Sequence, residues 1–315
     1  MKYVGIQTQV RKNNQRTVIM LLLFPVLVSA LVWLFFFLTM GLLLINDGGE
    51  FSAYEGLYAS SLFTLEALPW VFIGCLIWFT IAYFFNVSMI KMATRSHTLE
   101  RTNNKRVYNL VENLCISQGM PMPQINVIEE QSLNAFASGI NKKSYTVTLT
   151  RGIINTLTDE ELEGVIAHEL THIRNRDVRL LIVSIIFVGI FSTIATTMLR
   201  SLWFRGGNNK KNQVLILVGL LVALLGVLLS SLMRFSISRN REYMADAGAA
   251  QMTKRPNALA SALRKISGRS NVNSVTNEAV AQLFIDNALN KEKSSFNLFA
   301  THPPIGKRIA VLEQF

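Results

Sequence analysis

"VIAHELTHIRNRD", Val165 to Asp177, carries two of the four histidines in the 315-residue chain and leads within three residues into an uncharged apolar run. Just upstream, Thr158-Asp159-Glu160-Glu161 has the pattern of a capping box, so a helix is expected to start at Thr158 and run to about Asn175. On that helix His168 and His172, four residues apart, project from one face one turn apart. Ionisable groups at the threshold of such a run decide the fold class. The chain reads as a membrane protein carrying a folded polar domain.

Composition agrees. Half of the residues are hydrophobic and 16% are charged, against about 25% charged in ordinary soluble domains. Four segments reach the ~20 apolar residues that a bilayer crossing needs. They are Val18–Ile45, Ala67–Ile90, Leu180–Leu199 and Val214–Met233, and none contains a charge. The first is too long for a signal-peptide core and is read as retained. The net charge of +11 sits mostly on the flanks of these blocks. That arrangement fits membrane anchoring and excludes a nucleic-acid reader, which would show a basic and aromatic stripe. Cys75 and Cys115 fall in unlike regions and form no CxxC pair, so both read as small hydrophobes.

Basic residues in short loops set orientation. The tail before the first span carries Lys2, Arg11, Lys12 and Arg16 and no acid. The stretch between spans one and two carries Asp47, Glu50, Glu55 and Glu66 and no base, and Lys91, Arg95, Arg101, Lys105 and Arg106 follow span two. The N-terminus and the region after span two are therefore expected on the cytoplasmic side. The third and fourth segments form a hairpin whose connection holds Arg200, Arg205, Lys210 and Lys211. Either it crosses with a tip that breaks the rule, or it lies partly in the membrane or against the polar domain. Both arrangements leave its two flanks on one side. The expected division is a membrane region, 1–95, and a cytoplasmic domain, 96–315, interrupted by the hairpin.

In the polar domain a helix is expected over Asn103–Gln118, then strands at Ile125–Ile128 and at Ser144–Thr150 with its alternating "SYTVTLT". The last region reads as mainly helical, with breaks near Gly268–Ser274 and at Pro303–Pro304. His168 and His172 suit zinc, and Glu169 can take the proton of a zinc-bound water and pass it to a leaving amine. This is the HExxH arrangement. The third ligand is sought in "SRNREYMADAGA", where Glu242 and Asp246 are again four apart. Glu242 would complete a His₂Glu set for one Zn²⁺ per chain. Asp246 would orient a ligand imidazole by accepting its second ring N–H. The small residues Ala245, Ala247, Gly248, Ala249 and Ala250 would let this helix pack closely on its neighbour. Asp177 is expected to pair with a nearby arginine, and His97 receives no chemistry.

"HELTHIRNRD" followed by "REYMADAGA", with an apolar hairpin between them, resembles the HtpX-type membrane metalloproteases, relatives of the CAAX prenyl endopeptidases. The resemblance covers nearly the whole chain. It implies a mainly α integral membrane protein with four hydrophobic helices and a gluzincin-like α+β domain with a small sheet. It implies zinc ligands His168, His172 and Glu242, the base Glu169, and a cytoplasm-facing site in the plasma membrane. The implied activity is endoproteolysis of membrane or misfolded proteins in quality control under stress, with no nucleic-acid partner. "NAFASG", comprising Asn134, Ala135, Phe136, Ala137, Ser138 and Gly139, matches the family's segment beside the site, where an exposed edge strand would pair with substrate backbone. "THPPIGKR" matches the C-terminal segment. There His302 would donate to the oxyanion of the attacked carbonyl, and Arg308 would contact substrate.

Two rival readings accompany this one. A dedicated CAAX-like processing peptidase would cleave a prenylated peptide, and an inactive membrane scaffold would bind no zinc. Oligomeric state and natural substrates are not encoded legibly.

Overall fold

The computed structural model describes residues 6–46, 52–204, 210–235, 240–275, 278–286, 288 and 302–315. Lys2, Asp47, Glu50 and Arg205, which entered the topology argument, lie outside the described residues, as does Thr301. In chain order the elements are α1 (Ile6–Asn46), α2 (Ala53–Thr94), β1 (His97–Thr98), α3 (Lys105–Gln118), β2 (Gln124–Ile128), β3 (Ala135–Ser138) and β4 (Thr146–Thr150). They continue with α4 (Arg151–Thr156), α5 (Asp159–Asn175), α6 (Asp177–Phe204), α7 (Lys210–Phe235), α8 (Asn240–Thr253), α9 (Pro256–Ile266), α10 (Glu278–Ala281) and α11 (Ile305–Leu312). Two units emerge. One comprises Met1–Arg16, Phe84–Ile182 and Phe235–Phe315, the other Thr17–Tyr83 and Val183–Arg234. Met1–Arg16, assigned above to the membrane region, groups with the first unit.

The second unit is apolar and helical. Three helical stretches are long and apolar enough to cross a bilayer: Gln7–Leu43, Ala53–Thr94 and Asp177–Thr197. Four were expected. The fourth lies in α7, whose apolar stretch is described over Gln213–Leu229. At 1.5 Å per residue the 41 residues of α1 extend about 60 Å, twice the ~30 Å hydrocarbon core. The helix therefore continues well beyond the apolar block that Val18 opens. Likewise Glu55 and Glu66 are not in a loop but inside α2, Glu55 in its first turn.

The most apolar windows of α1 and α2 are only 17% and 6% buried, against 61% for α6. Faces such as Leu22, Trp70 and Leu76 are left outward. Apolar helices that show such faces to their surroundings fit lipid and not water. Within this unit Phe187 of α6 stacks on Phe24 of α1, ring centroids 3.9 Å apart, and Phe79 of α2 lies 5.5 Å from both. A Cβ at Gly226 of α7 would stand 2.3 Å from the Phe191 ring, so only glycine admits α6 this closely.

The first unit is built on a four-stranded mixed sheet of order β1-β2-β4-β3, with β2 and β4 parallel and β3 antiparallel to β4. All residues of β3 and β4 are buried, so this small sheet is a core element and not a surface ribbon. Gly139 turns β3 toward β4 with φ 111°, and a Cβ there would meet the Ser144 carbonyl at 2.2 Å. Thr150 ends β4 and caps α4, and Thr158 caps α5 in the capping box expected from the sequence. In that box Glu161 also reaches α9, through Ser261 at 2.7 Å and Lys265 at 2.6 Å. Helix α8 packs on α5 because Gly248 meets Thr171; a Cβ there would be 2.5 Å from Thr171 Cγ2. Cys75 and Cys115 are free and buried.

Candidate metal centre

Helix α5 sets two imidazoles on one face, and both turn the same nitrogen inward. His168 Nε2 and His172 Nε2 lie 3.1 Å apart. Across from them α8 brings in Glu242, with Oε2 at 3.6 Å from His168 Nε2 and Oε1 at 3.7 Å from His172 Nε2. These three residues are the set among the described residues whose ligand atoms converge tightly enough to hold a metal ion. Tetrahedral zinc with ~2.0–2.1 Å bonds separates its ligand atoms by about 3.3 Å, close to all three spacings. Glu242 Oε2 is buried and has no hydrogen-bond donor. An orphaned carboxylate oxygen beside two convergent lone pairs is what a cation would satisfy.

Each imidazole is fixed from behind through Nδ1. His168 Nδ1 meets Asp246 Oδ1 at 2.9 Å, and Asp246 is held by Arg308, Nη2 to Oδ1 at 2.7 Å and Nε to Oδ2 at 2.9 Å. His172 Nδ1 meets Asp177 Oδ2 at 3.1 Å. In the neutral imidazoles the carboxylates would hold the proton on Nδ1, and both Nε2 atoms are turned toward the centre. Asp177 thus corrects one expectation, since its partners are His172 and Asn13 and not an arginine. Helix α5 ends in a left-handed residue, Arg176 at φ 60°, and that reversal swings Asp177 back under His172. The left-handed position falls on an arginine and not on a glycine or on the neighbouring Asn175, so the sequence hides it.

Burial penalises charge throughout the centre, and neighbours answer it. For His172 burial opposes protonation, but the Glu242 and Asp177 carboxylates outweigh it and push the pKa up to about 10. For Glu242 burial is overcome by His302 and His172, which hold it well below the carboxylate range. Asp246, buried against the Arg308 guanidinium, is drawn down to about 2, and Arg308 is raised in turn. Burial wins only at Glu169, whose carboxyl is raised despite both histidines and the Ala137 backbone N–H. Anionic groups around two imidazoles make a cavity that favours a cation.

Glu169 and His172 line a small recess with Ala137, Arg241, Glu242 and His302, completed by apolar Val178, Leu181, Leu283, Phe284 and Ile285. His302 Nδ1 lies 3.2 Å from Glu242 Oε2 without hydrogen-bond geometry, and neither ring nitrogen has a hydrogen-bond partner among the described residues. Arg308 is buried behind His168, donating also to the Ile285 carbonyl at 3.0 Å. Its guanidinium is engaged with the protein, and Nη1 also lies 3.8 Å from Glu242 Oε2.

Strand β3 is an edge strand, yet it is not exposed. Ile285 N–H donates to the Ala135 carbonyl at 2.8 Å, and Phe136 bridges to Phe284 with rings 4.6 Å apart. Asn134 is buried and spends its amide on the Ser270 and Asp286 carbonyls, at 2.7 and 3.0 Å. Ser138 pairs with Thr146 through their hydroxyls. The outer rim beyond Phe136 is thus the part of "NAFASG" next to Glu169. Arg241, Nε 3.0 Å from Glu242 Oε1, was not singled out in the sequence. Its adjacency to the proposed ligand was the available signal.

Residues 101–315 match peptidase family M48. A protease HtpX homolog of Bacteroides fragilis is 57% identical over the full length of both chains. Another, of Dictyoglomus thermophilum, is 41% identical over 75% of this chain and 80% of its own. The crystal structure of S. mikatae Ste24p aligns with a TM-score of 0.46 and 20% identity over 78% of this chain and 58% of that one. By these matches, the chain belongs to peptidase family M48, among its HtpX-type membrane proteases.

Proposed function

We propose that this membrane protease is a zinc-dependent endopeptidase whose site faces the cytoplasm and acts on misfolded or damaged membrane proteins. The observation that carries the reading is the convergence of His168 Nε2, His172 Nε2 and the buried Glu242 carboxylate beside Glu169. A zinc ion held by these three residues would supply a Lewis acid and lower the pKa of a bound water toward ~7.

The chain's own groups do the rest. Glu169, raised by burial, accepts a proton from the attacking water and returns it to the leaving amine. His302, with no hydrogen-bond partner for either ring nitrogen among the described residues, is placed to donate to the oxyanion of the attacked carbonyl. Asp246 and Asp177 hold the two imidazoles in register, and Arg308 acts through Asp246. The apolar wall of Val178, Leu181, Leu283 and Ile285 supports side chains of the kind found in membrane segments. The basic flanks support the cytoplasmic placement.

The test is proteolysis by the full-length chain in detergent against an unfolded membrane protein and a prenylated peptide. Cleavage of the unfolded protein that a chelator stops and zinc restores supports the reading. Cleavage confined to the prenylated peptide, or activity indifferent to the chelator, contradicts it.

A further inference from the structure

We infer that Asn13, in the polar turns of α1 that precede the first span, is a positioning residue for His172, acting through Asp177. The inference rests on the zinc reading above.

Helix α5 leaves its last carbonyls without intrahelical donors, as every helix does. Asn13 Nδ2 donates to one of them, Asn175 O, at 2.9 Å, and to Asp177 Oδ1. Both partners are acceptors, so the orientation of the amide is dictated by chemistry. Its Oδ1 accepts from Gln9 Nε2 at 3.4 Å, one turn earlier. Asn13 and Asp177 are both buried. One residue on, Asn14 Oδ1 accepts from Arg176 Nη1 at 3.1 Å. The reversal that ends α5 is therefore gripped from the N-terminal turns of α1.

The consequence for the metal ligand follows from the two oxygens of Asp177. With Oδ2 on His172 Nδ1 alone, the carboxylate could still swing about its side-chain bonds. With Oδ1 tied to Asn13, it cannot swing without breaking a buried hydrogen bond. The two histidines are thus supported by parallel three-residue chains, Arg308–Asp246–His168 and Asn13–Asp177–His172. The first draws on a cation from α11. The second draws on a neutral amide more than 150 residues away in sequence.

The experiment measures zinc content and the rate of zinc release to a chromogenic chelator, using the full-length chain in detergent. All variants carry Glu169→Gln to prevent self-digestion. Asn13→Ala is expected to hold zinc but release it about tenfold faster, the lower end of the ~10–100-fold typical of outer-shell partners. Asn13→Asp, which keeps the size but sets a second carboxylate against Asp177, should release it at least as fast. Asp177→Ala should equal or exceed both, and Asn13→Ala should add nothing further to it, because the first acts through the second. The Co²⁺-substituted protein should show a shifted visible spectrum in Asn13→Ala and not in Gly74→Ala, which lies away from the centre.

Release at the parental rate in both Asn13 variants, or effects of Asn13→Ala and Asp177→Ala that simply multiply, would overturn the inference while leaving the zinc site standing. A parental protein that binds no zinc would instead overturn the zinc reading, and the inference with it.

Discussion

Gly248 of α8 sits against Thr171 of α5 so closely that a Cβ would stand 2.5 Å from Thr171 Cγ2 and 2.8 Å from its Oγ1. Thr171 cannot turn aside freely, since its hydroxyl donates to the Ala167 carbonyl at 2.8 Å in a fully packed position. This contact sets the spacing between the helix that carries both histidines and the helix that carries Glu242 and Asp246.

Gly248→Ala should therefore cost about 1–3 kcal/mol through overpacking, more than the ~1 kcal/mol that alanine gains over glycine in a helix. Zinc retention should fall with it, because Glu242 moves with α8. Gly74→Ala, at a position with nothing within 4 Å, should be neutral or slightly stabilising. Thermal unfolding and metal content of the two variants, measured side by side, check the contrast.

Arg308 and Asp246 form a buried two-pronged pair behind His168. Arg308→Met leaves the Asp246 charge without its partner and should destabilise the chain by about 3–5 kcal/mol. Arg308→Lys keeps the charge but loses the fork, and should recover only part of that stability. Unfolding by denaturant in detergent reads both. If Arg308 mainly contacted substrate, KM would rise in these variants with stability unchanged.

Acid should loosen the helix that bears the histidines. Glu161 is held below the usual carboxylate range: burial opposes its charge, but Lys265, Ser261 and the Thr158 N–H outweigh it. A depressed pKa contributes stability that is complete above the unfolded value, near 4.5, and is lost as pH falls through the folded one. Glu161→Gln should thus be less stable than the parent at neutral pH and converge with it well below pH 4.5. Melting curves of both proteins across that range, on the zinc-free form, provide the check.

Much of the centre was legible because helical spacing is a local property. The capping box at Thr158 placed the start of α5, and the two i, i+4 pairs placed four side chains on two faces. Their convergence then needed only the small-residue face of α8, visible as "ADAGAA". What stayed hidden depends on contacts distant in sequence or on unmarked backbone. The reversal at Arg176 uses a residue type that seldom adopts positive φ, so Asp177 was paired with the wrong partner. Asn13 looked like part of a basic tail. The burial of β3 under Leu283–Ile285 could not be read from "NAFASG", since its cover comes from some 150 residues downstream.

The most direct test of the account is a paired measurement on Glu169→Gln in the full-length chain. Amide in place of carboxylate leaves all three proposed ligands intact and removes the group that takes the proton. The account predicts one zinc per chain, as in the parent, with cleavage of an unfolded membrane protein reduced by roughly 10²–10⁴-fold or more. Parental cleavage by this variant, or loss of its zinc while the fold is retained, would contradict the assignment of His168, His172 and Glu242 as ligands around a catalytic Glu169.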